Sequence, residues 1–196
     1  GNALQDLDQL DEAVKSFEKA LAINPNFAEA HNNLGITLKE LDQLDTAIKC
    51  FEKAIAIKPD YAEAYNNLGN ALQNLGQLDE AVKSFEKALA INPDYANAYN
   101  NLGFTLQKLD QLDTAIKCYE KAVTLKPDYA EAHNNLGNAF YDLGQLNPSI
   151  KSYEKAITLK PDYAEAYHNH GNVLLEFKRL DEALANYERA FSINPD

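Results

Sequence analysis

The chain has 196 residues, 24% of them charged, and a net charge of −12 at pH 7. That acidity argues against a nucleic-acid partner, which rewards clustered Lys and Arg, and no apolar run approaches the roughly 18 residues that a membrane span needs. No charged-then-apolar leader opens the chain, so no export signal is expected, and the chain starts in the middle of a repeat.

Proline recurs at Pro25, Pro59, Pro93, Pro127, Pro161 and Pro195, and glycine at Gly35, Gly69, Gly103, Gly137 and Gly171, each series with a spacing of 34. A period of this length with two helical segments per unit predicts a helical repeat architecture. Residues 1–27 form a partial unit, with a short helical piece at Asn2 to Leu7 and a second helix from about Asp11 to Ile23. Full units follow at 28–61, 62–95, 96–129 and 130–163, and a last unit at 164–196.

Positions are counted from 1 at Ala62 to 34 at Tyr95. Helix A of each unit opens after the proline at position 32. Asp at position 33 is the expected N-cap, and Asp60/Glu63, Asp128/Glu131 and Asp162/Glu165 have capping-box spacing. Helix A ends near position 14. Gly76 and Gly144 fall at the turn, where glycine adopts a left-handed backbone without strain; Asp8, Asp42, Asp110 and Lys178 take that place elsewhere. Helix B is expected to start at an Asp cap: Asp11, Asp45, Asp79, Asp113 or Asp181. In unit 130–163 the sequence there is Asn147-Pro148, and a proline in the first helical turn does not break the helix. Within helix B, Ala81, Val82, Phe85, Ala88 and Leu89 have the spacing of one buried stripe.

Tyr65, Leu68, Gly69 and Leu72, followed by Ala81, Phe85, Ala88 and Pro93, resemble the tetratricopeptide repeat (TPR) family. Its pattern is W-x2-L-G-x2-Y, then A-x3-F, then A, then P. Tyr or His replaces the Trp, and Leu usually replaces the last Tyr. The resemblance covers essentially the whole chain. It implies an all-α fold, a right-handed superhelix of antiparallel helix pairs, as a single array over 1–196. It also implies a concave groove lined by A helices and a role in protein–protein interaction.

On a wheel of helix A at about 100° per residue, positions 3, 4, 7, 8, 10, 11 and 14 fall on one half and are expected to pack. Positions 2, 5, 6, 9, 12 and 13 fall on the other, which the resemblance makes the groove face. Position 6 is Asn33, Asn67, Asn101, Asn135 and Asn169; position 5 is Asn32, Asn66, Asn100 and Asn134, with His168 in the last unit. Asn is a poor helix former, so a repeated Asn on a helix asks for a reason. A carboxamide donates and accepts, so a row of them can hold an extended peptide by its backbone. This row is similar to the asparagine ladder in the TPR superhelix of the O-linked N-acetylglucosamine transferases. The alternative is that neighbouring Asn residues pair with one another. Position 9 carries Ile36, Asn70, Phe104, Asn138 and Asn172; Ile36 and Phe104 either form apolar pockets for ligand side chains or lean into adjacent helices. Glu29, Glu63, Glu131 and Glu165 at position 2 make a groove edge acidic, which suits a basic ligand. TPR clamps that hold chaperone carboxylates use Lys or Arg at positions 2, 5 and 6, and none is present there.

Enzyme chemistry has little support, and no cofactor is expected. His31 and His133 fill the slot of Tyr65, Tyr99 and Tyr167 and read as packing residues. His168 and His170, two apart on a helix, do not share a face. There is no phosphate loop or nucleophile motif. Cys50 and Cys118 lie at the same position two units apart, several helix widths of roughly 8–10 Å, beyond the ~7 Å Cα limit of a disulfide. They read as reduced packing residues, which favours the cytoplasm. Leu184, Tyr187 and Phe191 on the last helix lack a capping neighbour, so end-to-end contacts between molecules are expected. The sequence thus points to a protein or peptide partner. Its alternatives are a self-assembling scaffold, or the recognition segment of a larger glycosyltransferase-like enzyme.

Overall fold

The computed structural model describes residues 2–195, with side chains described from Gln9 onward. The elements in order are α1 (Asn2–Ile23), α2 (Ala28–Glu40), α3 (Leu44–Ile57), α4 (Ala62–Asn74), α5 (Leu78–Ile91), α6 (Ala96–Lys108), α7 (Leu112–Leu125), α8 (Ala130–Asp142), α9 (Leu146–Leu159), α10 (Ala164–Glu176) and α11 (Leu180–Ile193). Among the described residues there is no strand, and no helix is long and apolar enough to cross a membrane. The fold is all-α. From α2 onward, even-numbered helices are A helices and odd-numbered ones are B helices.

The chain divides into two compact units, Gly1–Ala98 and Tyr99–Asp196. In the first, α2 packs on α1 and α3, α4 packs on α3 and α5, and α2 also touches α4. In the second, α8 packs on α7 and α9, α10 packs on α9 and α11, and α8 touches α10. α2, α4, α8 and α10 therefore each have two kinds of neighbour: B helices, and an A helix of an adjoining repeat.

The A-to-B turns follow the sequence closely. Gly76 (φ +77) and Gly144 (φ +72) are left-handed, and so are Asp42 (φ +59), Asp110 (φ +59) and Lys178 (φ +58). Each turn closes with one long backbone bond from the residue after the left-handed one. Gln43 N–H donates to Leu38 O at 2.8 Å, Gln77 to Leu72 at 2.9 Å, Gln145 to Phe140 at 2.8 Å and Arg179 to Leu174 at 3.0 Å. This is the Schellman arrangement, which satisfies carbonyls that a helix C-terminus leaves open. Pro148 sits in the first turn of α9 without interrupting it.

Two local expectations are corrected. The short piece at Asn2–Leu7 and a turn at Asp8 are replaced by one continuous helix, α1. Elsewhere the turn is anchored by an A helix of 13 residues; only the last six A-helix positions precede Asp8, and the backbone runs on. The helix N-caps are also not aspartates. They are Gln43, Gln77, Gln111, Gln145 and Arg179 for B helices and Phe27, Tyr61, Tyr129 and Tyr163 for A helices, none with a side-chain cap bond. Asp45, Asp79, Glu63 and Glu131 instead lie inside the first turn, where a negative charge near the positive helix end contributes about 0.3–1 kcal/mol.

The A–B contact is built on one aromatic ring per repeat. Phe51, Phe85 and Tyr119 are fully buried. Their rings lie against Gly35, Gly69 and Gly103, and those of Tyr153 and Tyr187 against Gly137 and Gly171. A Cβ at Gly69 would stand 2.6 Å from Phe85 Cε1, inside any tolerable contact. Ala47, Ala54, Ala81 and Ala88, all 0% exposed, keep the B-helix backbones close to their neighbours.

Two substitutions test these contacts by urea unfolding. Gly69→Ala is expected to lower stability by about 1–2 kcal/mol, because overpacking against a trapped ring outweighs the gain of about 1 kcal/mol in helix propensity. Lys178→Gly is expected to raise stability by about 0.5–1 kcal/mol, because a left-handed non-glycine residue costs roughly 1–2 kcal/mol and glycine returns part of that as unfolded-state entropy.

Candidate functional site

The helical wheel placed position 5 on the open face. The structure buries it. Asn32 and Asn134 are 0% exposed, Asn100 is 2% and Asn66 is 5%. A buried carboxamide must be hydrogen-bonded, and Asn32, Asn100 and Asn134 are bonded to the next repeat. In the first unit, Asn67 Nδ2 donates to Asn32 Oδ1 at 3.0 Å. In the second, Asn135 Nδ2 donates to Asn100 Oδ1 at 3.0 Å and Asn169 Nδ2 to Asn134 Oδ1 at 3.3 Å. The other half of the Asn100 and Asn134 amides goes to the position-2 glutamate of the following repeat, while Asn32 Nδ2 donates to Asn33 Oδ1 at 3.4 Å. Asn134 Nδ2 donates to Glu165 Oε1 at 3.0 Å and Asn100 Nδ2 to Glu131 Oε1 at 3.5 Å. Asn66 and Asn101 also have partners. The pairing between neighbouring asparagines is therefore real. Position 5 joins A helix to A helix, and the position-6 residue of the next repeat caps that joint.

Position 6 keeps some access to solvent. Asn33 is exposed, Asn67, Asn101 and Asn169 are half-buried, and Asn135 is buried. At position 9, Ile36 leans into the core beside Leu34, Leu38 and Phe51. Phe104 is 38% exposed, with Lys108 Nζ 4.7 Å from its ring centre. Asn70, Asn138 and Asn172 are half-buried.

The second unit holds a recess of about 330 Å³ on these A-helix faces, with Gln107, Asn138, Asp142, Glu165, Asn169 and Asn172 on its walls. Gln107 Nε2 donates to Asp142 Oδ2 at 2.6 Å, while Tyr119 OH donates to Gln107 Oε1 at 3.0 Å. Tyr153 OH donates to Asn138 Oδ1 at 2.7 Å, and Tyr187 OH to Asn172 Oδ1 at 2.8 Å. Asn138 Oδ1 takes a second bond from Asn169 Nδ2 at 3.0 Å. Among the described residues no Lys or Arg pairs with Asp142 or Glu165. Burial raises the Tyr153 phenol, and the negative field of Asp142 and Glu165 adds to that. The recess can thus offer amide N–H donors beside carboxylates that lack a counter-ion.

Other singled-out residues fall in the packing. His133 Nε2–H donates to Pro127 O at 3.2 Å, and burial holds its pKa below the ordinary 6.5. His31 makes the same contact to Pro25 O at 3.0 Å. His168 rests against the Tyr187 ring, with centres 5.5 Å apart, while His170 Nδ1–H meets Asn186 Oδ1 at 3.0 Å, so the two have different partners. Cys50 and Cys118 are buried and form no disulfide, and burial raises the Cys50 thiol. On α11, Leu180 is 64% exposed, Leu184 56% and Phe191 67%.

The tyrosine hydroxyls are what sequence reasoning missed. The available signal was the exchange of Phe51 and Phe85 for Tyr119, Tyr153 and Tyr187 at position 24, with Asn138 and Asn172 at position 9 of two of those repeats.

Paired helices joined through repeated asparagines define a helical-repeat interaction protein. Family models of the tetratricopeptide repeat match residues 26–94, 60–126 and 164–196, and a TPR repeat model matches 1–42 and 137–178. The chain belongs to the tetratricopeptide repeat family. Among solved structures, a crystal structure of MamA superposes with a TM-score of 0.75 at 26% identity, covering 83% of this chain and 95% of that one. YrrB, described as a TPR protein with an unusual peptide-binding site, gives 0.73 at 27% identity, covering 93% and 94%. The Cut9–Hcn1 complex of the APC/C gives 0.84 at 22%, covering 96% of this chain and 38% of that one, a likeness of fold alone. A search of the curated proteins returns no match.

Asn100→Ala is expected to lower stability by about 1–3 kcal/mol, since it strands the buried Asn135 amide. Asn33→Ala, at an exposed site, is expected to stay within about 0.5 kcal/mol of wild type. Paired denaturation curves check both.

Proposed function

We propose that the protein is an interaction module that holds an extended, basic peptide along the faces of its A helices, in a single array over 1–196. The observation that carries this reading is the polar recess of the second unit, where Asp142 and Glu165 stand without counter-ions beside Asn138 and Asn169. In this reading Asn33, Asn67, Asn101 and Asn169, with Asn70, Asn138 and Phe104, meet the ligand, while Asn135 is buried beneath them. Asn32, Asn66, Asn100 and Asn134 act behind them, holding the row at fixed spacing. The likeness to the glycosyltransferase asparagine ladder belongs to this proposal and rests on that same row. YrrB's description as peptide-binding supports it, and so does the net charge of −12, which favours basic partners. The buried thiols of Cys50 and Cys118, which form no disulfide, support the cytoplasm as compartment.

A randomised twelve-residue peptide library selected on the wild-type protein tests the reading. Lys- or Arg-containing peptides are expected to be enriched. Asp142→Asn/Glu165→Gln is expected to weaken the best peptide about tenfold, the scale of a partly buried charge pair, and to flatten the dependence of affinity on salt. A library that yields no binder sinks the proposal.

A second reading rests on α11, whose Leu180, Leu184 and Phe191 are open to solvent. We infer that this face receives an A helix of the same repeat type from a second copy of the chain, giving an assembling scaffold. Sedimentation velocity is expected to reveal self-association that rises with concentration and is lost in Leu184→Lys/Phe191→Lys. A wild-type monomer at every concentration tested would exclude it.

A further inference from the structure

We propose that Tyr153 and Tyr187 are positioning residues, whose hydroxyls turn the amides of Asn138 and Asn172 so that their N–H groups bind backbone carbonyls of an extended peptide. This deepens the peptide-binding reading and rests on it.

The argument starts from what position 24 needs. Its ring must fill the space beside glycine, and Phe51 and Phe85 do so while fully buried. A hydroxyl adds nothing to that packing, and burying one is unfavourable unless it finds a partner. Yet Tyr119, Tyr153 and Tyr187 all carry it, and each donates to a carboxamide oxygen: Gln107 Oε1 at 3.0 Å, Asn138 Oδ1 at 2.7 Å and Asn172 Oδ1 at 2.8 Å. Where Phe104 occupies position 9, the hydroxyl turns to position 12 instead. The common outcome is an amide oxygen held against a phenol.

A carboxamide with its oxygen fixed has its nitrogen fixed too. For Asn138 the constraint is double, because Asn169 Nδ2 also donates to Oδ1 at 3.0 Å. Flipping this amide would set two N–H groups against the Asn169 amide. The Asn138 and Asn172 side chains both line the recess, and among the described residues neither Nδ2 meets an acceptor. Burial raises both phenols, so both remain protonated donors at neutral pH. Two oriented donors with no acceptor of their own match a ligand that presents carbonyl oxygens at intervals, as a peptide backbone does. In the first unit Phe85 has no hydroxyl to offer Asn70, so that amide is left unfixed. A group already held in its binding orientation loses less freedom on binding, which favours the second unit over the first for tight binding.

The test uses the best peptide from the twelve-residue library, with wild type, Tyr153→Phe/Tyr187→Phe, Asn138→Leu/Asn172→Leu and the quadruple variant. Phenylalanine is a natural occupant of position 24, so the Tyr-to-Phe pair is expected to keep its helical circular dichroism and its unfolding midpoint. Its affinity is expected to fall about tenfold, and the quadruple variant is expected to bind no more weakly than the Asn pair, because the hydroxyls act only through those amides. NMR is expected to show the Asn138 and Asn172 side-chain amide signals sharp in wild type and exchange-broadened in the Tyr-to-Phe pair. Unchanged affinity in that pair, or additive losses in the quadruple variant, overturns the positioning role while leaving peptide binding intact. A library without any binder overturns the peptide reading itself and this inference with it.

Discussion

One contact sets the spacing of everything else: an aromatic ring on each B helix pressed against a glycine on its A helix. Gly69 and Phe85, or Gly137 and Tyr153, bring two backbones closer than any side chain with a Cβ would permit. Burying such a ring contributes roughly 1.5–3 kcal/mol, and the same contact recurs in every full repeat. The turn geometry follows from it. With the two helices this close, the connection must reverse direction in very few residues, and a left-handed residue closed by a six-residue backbone bond does so. Asp42, Asp110 and Lys178 accept that strain where Gly76 and Gly144 avoid it.

Hairpins packed in this way would still need something to fix one against the next. Apolar contact alone is tolerant of sliding, because hydrophobic burial is not directional. Buried amides are not tolerant. Asn100 and Asn134, at 2% and 0% exposure, have oxygen and nitrogen both engaged by the following repeat. A shift that broke those bonds would leave dry polar groups, at about 1–3 kcal/mol each. The asparagines thus act as registration pins, and the groups outside them inherit a fixed spacing.

Much of this was legible in the residues. The 34-residue period gave the helix pairs, and Gly76, Gly144 and Pro148 could be placed correctly from backbone chemistry alone. Position 5 could not. A helical wheel assumes one buried side, but α2 and α8 are flanked by B helices and also by another A helix, so a second strip is covered. The N-caps were misplaced for a related reason: Asp60 and Asp79 have the right chemistry, yet helix ends here are fixed by packing, and Tyr61 and Gln77 take those places without a side-chain bond. For α1, local sequence could not foretell the difference, because Leu7 to Asp11 repeats the residues of Leu41 to Asp45, which turn at Asp42. The phenol hydroxyls were invisible because Tyr and Phe are interchangeable in a core; only the distance to Asn138 and Asn172 distinguishes them.

The asparagine-to-asparagine bonds between A helices run one way, while the position-5 amides of Asn100 and Asn134 donate forward to Glu131 and Glu165. Asn67 donates back to Asn32, Asn135 back to Asn100 and Asn169 back to Asn134. Within each unit the row is therefore a polar vector, with its nitrogen end and oxygen end facing opposite ways along the stack. A peptide is also a vector, since its carbonyls and N–H groups differ between its two senses of travel. A chain laid over such a row meets two inequivalent alignments, parallel and reversed, and their energies differ even if its side chains are identical. In the peptide-binding reading proposed above, the sense in which a chain lies along the row is set by the orientation of these amides.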